Sequence, residues 1–345
     1  MDKNINPKIS VLMPVYNCRP FIEESVNSIL NQTFKDFEFI IIDDCSTDGT
    51  YEYLQTLTDP RISIFRNKKN SGIAVSLNLG LEMAKGIYIA RMDGDDISFP
   101  DRFAKQVTFM DEHPEIILCG GGYQSIGSSK FIFVPKSSHE DIILYLMSYS
   151  PIAHPTVFFR TKTLTNNNIQ YQPEFVPAED YKMWTVLSKY GKLANITDIV
   201  LYYRVHKNQI SSINTNIQSE IAKFVAFEYI MNFSKRNEHT DSFCRKKINS
   251  IEDLKKYEDV EAIIKQTLIE KGIKANDCFF QERKKQYLIY SLIQNRYSIT
   301  QAVNDMALLF KCRSTLGNMF IFKHLIKCLT YYKIAILLGV FLIVG

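Results

Sequence analysis

No two cysteines of this 345-residue chain are spaced as CxxC: the seven, Cys18, Cys45, Cys119, Cys244, Cys278, Cys312 and Cys328, are odd in number and scattered. That argues against a disulfide framework and for reduced thiols in a cytoplasmic setting. The start, MDKNINPKIS, has no apolar run of the kind a secretory signal needs, so no signal peptide is expected. Basic residues are not gathered with aromatics into a stripe and the net charge of +4 is mild, so nucleic acid is not an expected partner. There are no internal repeats. Ile142 to Phe159 has no Asp, Glu, Lys or Arg, but Pro151, His154 and Pro155 interrupt it; a buried helix, a loop and a strand explain it better than a membrane span. Gly120 to Gly122 suggest a dinucleotide fingerprint, yet Ser125 stands at the third glycine position and no helix opens there, so a bulge or turn is expected.

What is present is concentrated in ARMDGDDISFPDR, residues 90–102, where Asp93, Asp95 and Asp96 crowd into four positions after an apolar run. Like charges this close repel, and a fold gains little from them unless a cation sits there. Side chains at i and i+2 of an extended segment point the same way, which puts Asp93 and Asp95 on one face. Carboxylate oxygens suit Mg or Mn, and Mg is usually shared between one or two carboxylates and the phosphates of a substrate. The alternative is a solvated acidic turn in which Asp96 caps the next segment. An EF-hand is excluded, because the loop has no Gly at its sixth position and no Glu at its twelfth.

The surrounding pattern alternates. Apolar runs at Ile9 to Asn17, Phe37 to Ile42, Arg61 to Arg66 and Gly86 to Ala90 predict strands; helical spacing predicts helices over Phe21 to Gln32, Tyr51 to Leu57 and Ile73 to Lys85. A βαβαβαβ order implies a parallel sheet wrapped by helices, with ligands bound outside the carboxyl ends of the strands. Tyr16, Asp44 and Asp93 all fall at such ends. With 46% apolar and 23% charged residues, the chain has room for one large domain and a smaller one.

MPVYN at 13–17, IIDDCSTDGT at 41–50, NSGIAVSLNLGLEMAKG at 70–86 and ARMDGDD at 90–96 resemble the family 2 glycosyltransferases of GT-A fold. HPTVFFR at 154–160, PAEDYKMW at 177–184 and YYRVHKNQIS at 202–211 extend the resemblance, in the same order, to that family's bacterial surface-polysaccharide branch. It spans about Lys8 to Ser212 and implies a Rossmann-like mixed α/β sheet. It also implies transfer of a sugar, with inversion, from a nucleotide-diphosphate donor, a UDP-sugar foremost, assisted by Mn or Mg. The acceptor would be a glycan or a polyprenyl-linked intermediate of cell-surface polysaccharide. A catalytically silent sugar-nucleotide-binding scaffold of the same fold is the alternative.

Carried over position by position, the resemblance gives Pro14, Tyr16 and Asp44 to the nucleotide base, where a ring can stack and a carboxylate can accept an imide N–H. Asp43 and Asp48 read instead as acids bonding nearby backbone. Asp93 would approach ribose and metal, and Asp95 would ligate the metal, with Asp96 ranked below both. Arg91 would contact base or phosphate or serve as counter-charge to the acids. Asp180 is the expected general base, with Glu179 beside it; by spacing alone Asp180 could be a helix N-cap. Arg204 and His206 would close over the donor, His206 ligating metal or phosphate, while His154 would line the acceptor side.

Past Ser212 the character becomes helical. Ile217 to Phe233, Ile251 to Lys271 and Gln281 to Phe310 are expected helices, the second with a capping box from Ser250 to Asp253 and Gly272 as its stop. The expected organisation is a catalytic domain over 1–215, a helical extension over 216–310 and a tail over 311–345. No acid follows Asp305, while Lys311, Arg313, Lys323, Lys327 and Lys333 lie among apolar residues, and Ile334 to Gly345 is uncharged. A basic amphipathic tail of this kind is expected to attach the protein peripherally to the cytoplasmic side of the inner membrane.

Overall fold

The computed structural model describes residues 6–207, 209, 215–234, 250–294 and 311. The predicted alternation is present as β1 (Ile9–Val15), α1 (Ile22–Leu30), β2 (Phe37–Asp43), α2 (Thr50–Leu54), β3 (Ile62–Arg66), α3 (Ile73–Met83) and β4 (Tyr88–Arg91). It continues through β5 (Ile97–Ser98), α4 (Arg102–Glu112), β6 (Ile116–Gly127), β7 (Ile132–Phe133), α5 (His139–Tyr145), β8 (Phe158–Arg160), α6 (Thr161–Asn166), α7 (Glu179–Leu187) and β9 (Lys192–Val205).

These strands make one mixed sheet in the order β3-β2-β1-β4-β8-β6-β9-β5, with β7 paired to β6. β3, β2, β1 and β4 run parallel, and β8 is antiparallel to both β4 and β6. All seven residues of β1 are buried, as a strand covered on both faces requires. Its one polar member, Ser10, is satisfied: its hydroxyl donates to Glu38 Oε1 at 2.6 Å and accepts the Gly86 N–H at 2.8 Å.

The chain winds from β1 to β2 and β3 on one side and then crosses to β4 on the other. Pairing of β1 with β4 ends at Leu12–Arg91, whereas pairing with β2 runs on to Val15–Asp43. Strands that part in this way open a crevice at their carboxyl ends, the topological switch point of open α/β sheets. Gly86, at the entry to β4, is pressed against the edge of β1; a Cβ there would lie 2.4 Å from the Ser10 nitrogen and 2.7 Å from the Ile9 carbonyl carbon. Backbone cannot rotate away as a side chain can. Gly86→Ala is therefore expected to cost about 1–3 kcal/mol, read as a lowered midpoint of thermal denaturation.

Ile142 to Phe159 folds as the end of α5, a loop with a 3-10 turn at His154–Thr156, and the start of β8. Among the described residues no helix is long and apolar enough to cross a membrane. Gly120 to Gly122 lie inside β6, where the pairing with β9 shifts register, so the bulge is present and no dinucleotide turn forms.

The described chain divides into two compact units after Ala226, within α8 (Thr215–Ser234). The second unit contains α9 (Ile251–Glu270) and α10 (Asp277–Gln294). In α9 the predicted stripe is buried at Leu254, Tyr257, Val260, Ile264 and Leu268. Ser250 Oγ accepts the Asp253 N–H at 3.0 Å, and Gly272 ends the helix at φ +70°, with the Ile273 N–H reaching back to Leu268 O. The expected tail over 311–345 lies outside the described residues except for Lys311.

Candidate active site

The crevice is a cleft of about 810 Å³. Its walls include Pro14 in β1 and Tyr16 just after it, Asp44 after β2, Arg91 at the end of β4 with Asp93, Gly94 and Asp95 beyond it, Glu179 and Asp180 from α7, and His206 after β9. Five separate stretches of sequence thus meet in one place, because each ends a strand or begins a helix at the same edge of the sheet.

On the side of the cleft formed after β1 and β2 the turns are held by carboxylates. Buried Asp43 accepts the Ser46 N–H and pairs with Arg66 Nε at 3.1 Å; Asp48 accepts the N–H groups of Arg19 and Thr50, each at 3.0 Å. Both acids bond nearby backbone as expected. Asp44 is almost fully buried. Its Oδ1 accepts from Asn67 Nδ2 at 2.7 Å and Ser71 N at 2.9 Å, and its Oδ2 from Gly72 N at 2.8 Å. A carboxylate offers about four acceptor positions, so one remains for a ligand N–H. Tyr16, in contrast, is 46% exposed and presents its ring to the cleft.

After β4 the chain places a ligand atom of each of Asp93, Asp95 and Asp96 within 4.8 Å of the others. Gly94 is required between them, since a Cβ there would come within 2.8 Å of Val15 Cγ1 and 3.2 Å of Cys18 Sγ. Burial, opposed by Arg91 and reinforced by Asp95, raises the Asp93 carboxyl above the usual range. Burial and then Asp95 and Asp93 raise Asp96 further. Asp96 Oδ1 accepts the Arg204 N–H at 2.8 Å, while its buried Oδ2 has no partner. Three clustered carboxylates, two of them with raised proton affinity and one of those with an orphaned oxygen, form a set of hard donors that fits a divalent cation. Asp96, expected to matter less than its two neighbours, also brings a ligand atom within 4.8 Å of theirs.

His206 Nε2 lies 2.9 Å from Asp95 Oδ2, and its ring tilts against Phe21. Arg204 is placed otherwise. Its Nε donates to the Asp95 carbonyl at 2.7 Å, its Nη2 reaches Glu24 Oε2 at 2.5 Å and its guanidinium lies over the Phe21 ring. That side chain braces the acidic turn from behind and is not on the cleft wall. Arg91 is buried, with Nη1 bonded to Asp93 Oδ2, and its buried Nε has no partner. The main-chain oxygen of Arg91 accepts from Arg102 Nη2 at 2.8 Å.

Opposite the acids, α7 begins at Glu179 with Ala178 as its N-cap, so Asp180 is not the cap. Its Oδ1 accepts the Tyr181 N–H at 2.6 Å. Burial, partly offset by that bond, raises Asp180 to about 6; burial and the neighbouring Asp180 raise Glu179 to about 7. Glu179 Oε2 is buried without a partner, and Oε1 is 4.0 Å from His154 Nδ1. Burial, with Arg91 adding to it, holds the His154 imidazole well below its usual value and therefore neutral. The other ring nitrogen, Nε2, is 2.8 Å from Tyr171 Oη, whose phenol burial keeps protonated. Tyr171 was not indicated by the sequence, as no motif links it to a histidine seventeen positions earlier.

The profile described as Glycosyl transferase family 2 matches residues 10–174. An uncharacterized glycosyltransferase of Haemophilus influenzae is 35% identical over 237 residues, 65% of this chain and 73% of that protein. The Escherichia coli UDP-Glc:alpha-D-GlcNAc-diphosphoundecaprenol beta-1,3-glucosyltransferase WfaP is 32% identical over 207 residues, 59% of this chain and 80% of that protein. Among solved structures, Staphylococcus aureus TarS 1–349 in complex with UDP-GlcNAc superposes with a TM-score of 0.55 at 19% identity, covering 90% of this chain and 88% of that one. At that identity the likeness shows the GT-A fold.

Proposed function

The chain belongs to glycosyltransferase family 2, and from that membership we propose that it is an inverting sugar transferase using a nucleotide-diphosphate donor, UDP-linked in the first instance. The acceptor in this reading is a glycan or polyprenyl-linked intermediate of surface polysaccharide, met at the cytoplasmic face of the membrane. The observation that carries the proposal is the placing of two acidic groups in one cleft: Asp93 and Asp95 after β4, with buried Asp96 clustered beside them, and Glu179 with Asp180 at the start of α7.

The two groups divide the work. Tyr16 stacks on the base and Asp44 accepts its imide N–H with the position left open by its three internal donors. Asp95 with Asp93, and Asp96 Oδ2 and His206 within reach, would hold Mn or Mg, which when bound offsets the charge that develops on the departing diphosphate. Arg204 keeps the Asp95 backbone in place for this. Asp180, ionised above about pH 6, takes the proton of the acceptor hydroxyl as that oxygen attacks the anomeric carbon from the face opposite the leaving group. A single carboxylate serves one displacement; a retaining path would need a second, nucleophilic one.

Thermal-shift screening of nucleotide sugars with Mn, on the wild type and on Asp95→Ala, tests the proposal: a UDP-sugar should stabilise the first and not the second. A donor that stabilises both equally would place the diphosphate elsewhere, and binding without turnover on any acceptor would favour the scaffold reading. Tyr16→Ala should weaken UDP binding by about 1–3 kcal/mol, the worth of one base–ring stack, with no change in fold because the ring is half exposed. Isothermal titration with UDP and Mn measures it.

A further inference from the structure

β7 and its flanks carry the two most exposed large apolar side chains described in the first unit, Ile132 at 62% and Val134 at 59%, with Phe131 beside them at 47%. An extended segment sends alternate side chains to opposite faces. Phe131 and Phe133 turn inward onto Tyr123, with ring centroids at 5.9 Å and 5.0 Å, and Tyr123 itself lines the cleft. Ile132 and Val134 turn outward. The exposed pair is thus the outer face of a segment whose inner face is anchored to the cleft wall, and a cluster of this kind marks an interaction surface where single exposed apolar residues do not.

Two occupants compete for that face. A partner strand could add to the free edge of β7. However, β7 is two residues long, and Lys130, Pro135 and Lys136 bracket it, the devices that prevent edge-to-edge pairing. The charges favour a lipid surface instead. Lys130 and Lys136 are both exposed, Lys136 Nζ stands 5.2 Å from the Tyr145 ring centroid, and no Asp or Glu occurs anywhere from Ile116 to His139. Outward apolar side chains between two exposed cations match the chemistry of an anionic bilayer interface.

We propose that residues 130–136 dock the protein on an anionic membrane, with Ile132 and Val134 entering the interface and Lys130 and Lys136 meeting headgroup phosphates. The proposal rests on the lipid-linked acceptor reading given above. Because the same segment packs on Tyr123, docking here sets one wall of the cleft beside the bilayer, where an acceptor carried on a lipid would arrive.

The native Trp184 is fully buried, so an indole introduced by Ile132→Trp reports on its own surroundings in the full-length protein. Vesicles containing phosphatidylglycerol should shift its emission to the blue, and brominated lipid should quench it. Ile132→Asp with Val134→Asp should weaken partitioning at least about tenfold, since burial of one such side chain is worth about 1.5 kcal/mol. Lys130→Glu with Lys136→Glu should abolish the preference for phosphatidylglycerol over phosphatidylcholine. An unshifted indole on protein that floats with vesicles, a double-Asp variant that floats like the wild type, or no vesicle binding at all would each overturn the proposal. So would a dimer that the double-Asp variant dissociates while vesicle binding persists, which would assign the face to a second copy. UDP-sugar thermal shifts taken without lipid report on the transferase reading separately.

Discussion

Asp95→Ala is expected to lower metal-dependent sugar transfer by about a thousandfold or more while leaving the fold intact. The loss corresponds to about 4 kcal/mol, the scale on which a bound cation offsets the charge of a departing phosphate. Stability should not follow activity. The Asp95 side chain is 24% exposed, with His206 Nε2 as its bonding partner at 2.9 Å, and the bond from Arg204 goes to its main-chain oxygen, which alanine retains. Removing one of three mutually repelling carboxylates also relieves the other two, so the Asp93 and Asp96 carboxyls should titrate closer to their ordinary range. A metal-free variant is therefore expected to melt at or above the wild-type temperature. Chelator should reduce wild-type turnover to the level of the variant and leave the variant unchanged. Turnover by Asp95→Ala at the wild-type rate, or full wild-type activity in chelator, would remove the cation from the account.

The acidic turn was legible because its chemistry is local: three carboxylates in four residues at a strand end are conspicuous whatever the fold. The strands and helices around it were legible for a similar reason. A strand buried on both faces reads as a largely apolar run, and β1 and β2 do, interrupted by Ser10 in the first and Glu38 in the second. What could not be read was direction and distance. The family resemblance gives the Arg204 segment to the donor side, but only the fold shows its guanidinium turned to Glu24, 180 positions earlier in sequence. Tyr171 and His154 meet because β8 and α6 carry the chain away and back between them. Asp96 carries the same formal charge as its neighbours, and only the fold shows it buried with one oxygen unpartnered. Likewise, spacing alone offered capping as the role of Asp180, whereas α7 starts one residue earlier, which frees that carboxylate to face the cleft.

Asp180→Asn is expected to lower turnover by about a hundred- to ten-thousandfold with donor binding unchanged, the range for loss of a positioned general base. The pH profile then decides between the two neighbouring acids. In the wild type, turnover should rise with pH and level off above about 6 if Asp180 accepts the proton, and above about 7 if Glu179 does. Glu179 holds its proton to the higher value, so it is still neutral while Asp180 ionises, and Glu179→Gln should leave the limb near 6 in place. Conversely, Asp180→Asn removes the charge that helps raise Glu179 and should bring the Glu179 carboxyl down. Stability gives an independent check with the opposite sign from a salt bridge. Both carboxyls keep protons in the folded chain that the unfolded chain has released, so they reduce stability progressively as pH rises from 3.8 to about 6 for Asp180 and from 4.5 to about 7 for Glu179. Asp180→Asn should flatten that decline in thermal melts of the donor-free protein. A base that must be ionised to work, yet is buried where ionisation is resisted, trades stability for a proton acceptor tuned close to neutral pH. An Asp180→Asn variant that keeps wild-type turnover would point to Glu179 as the acceptor.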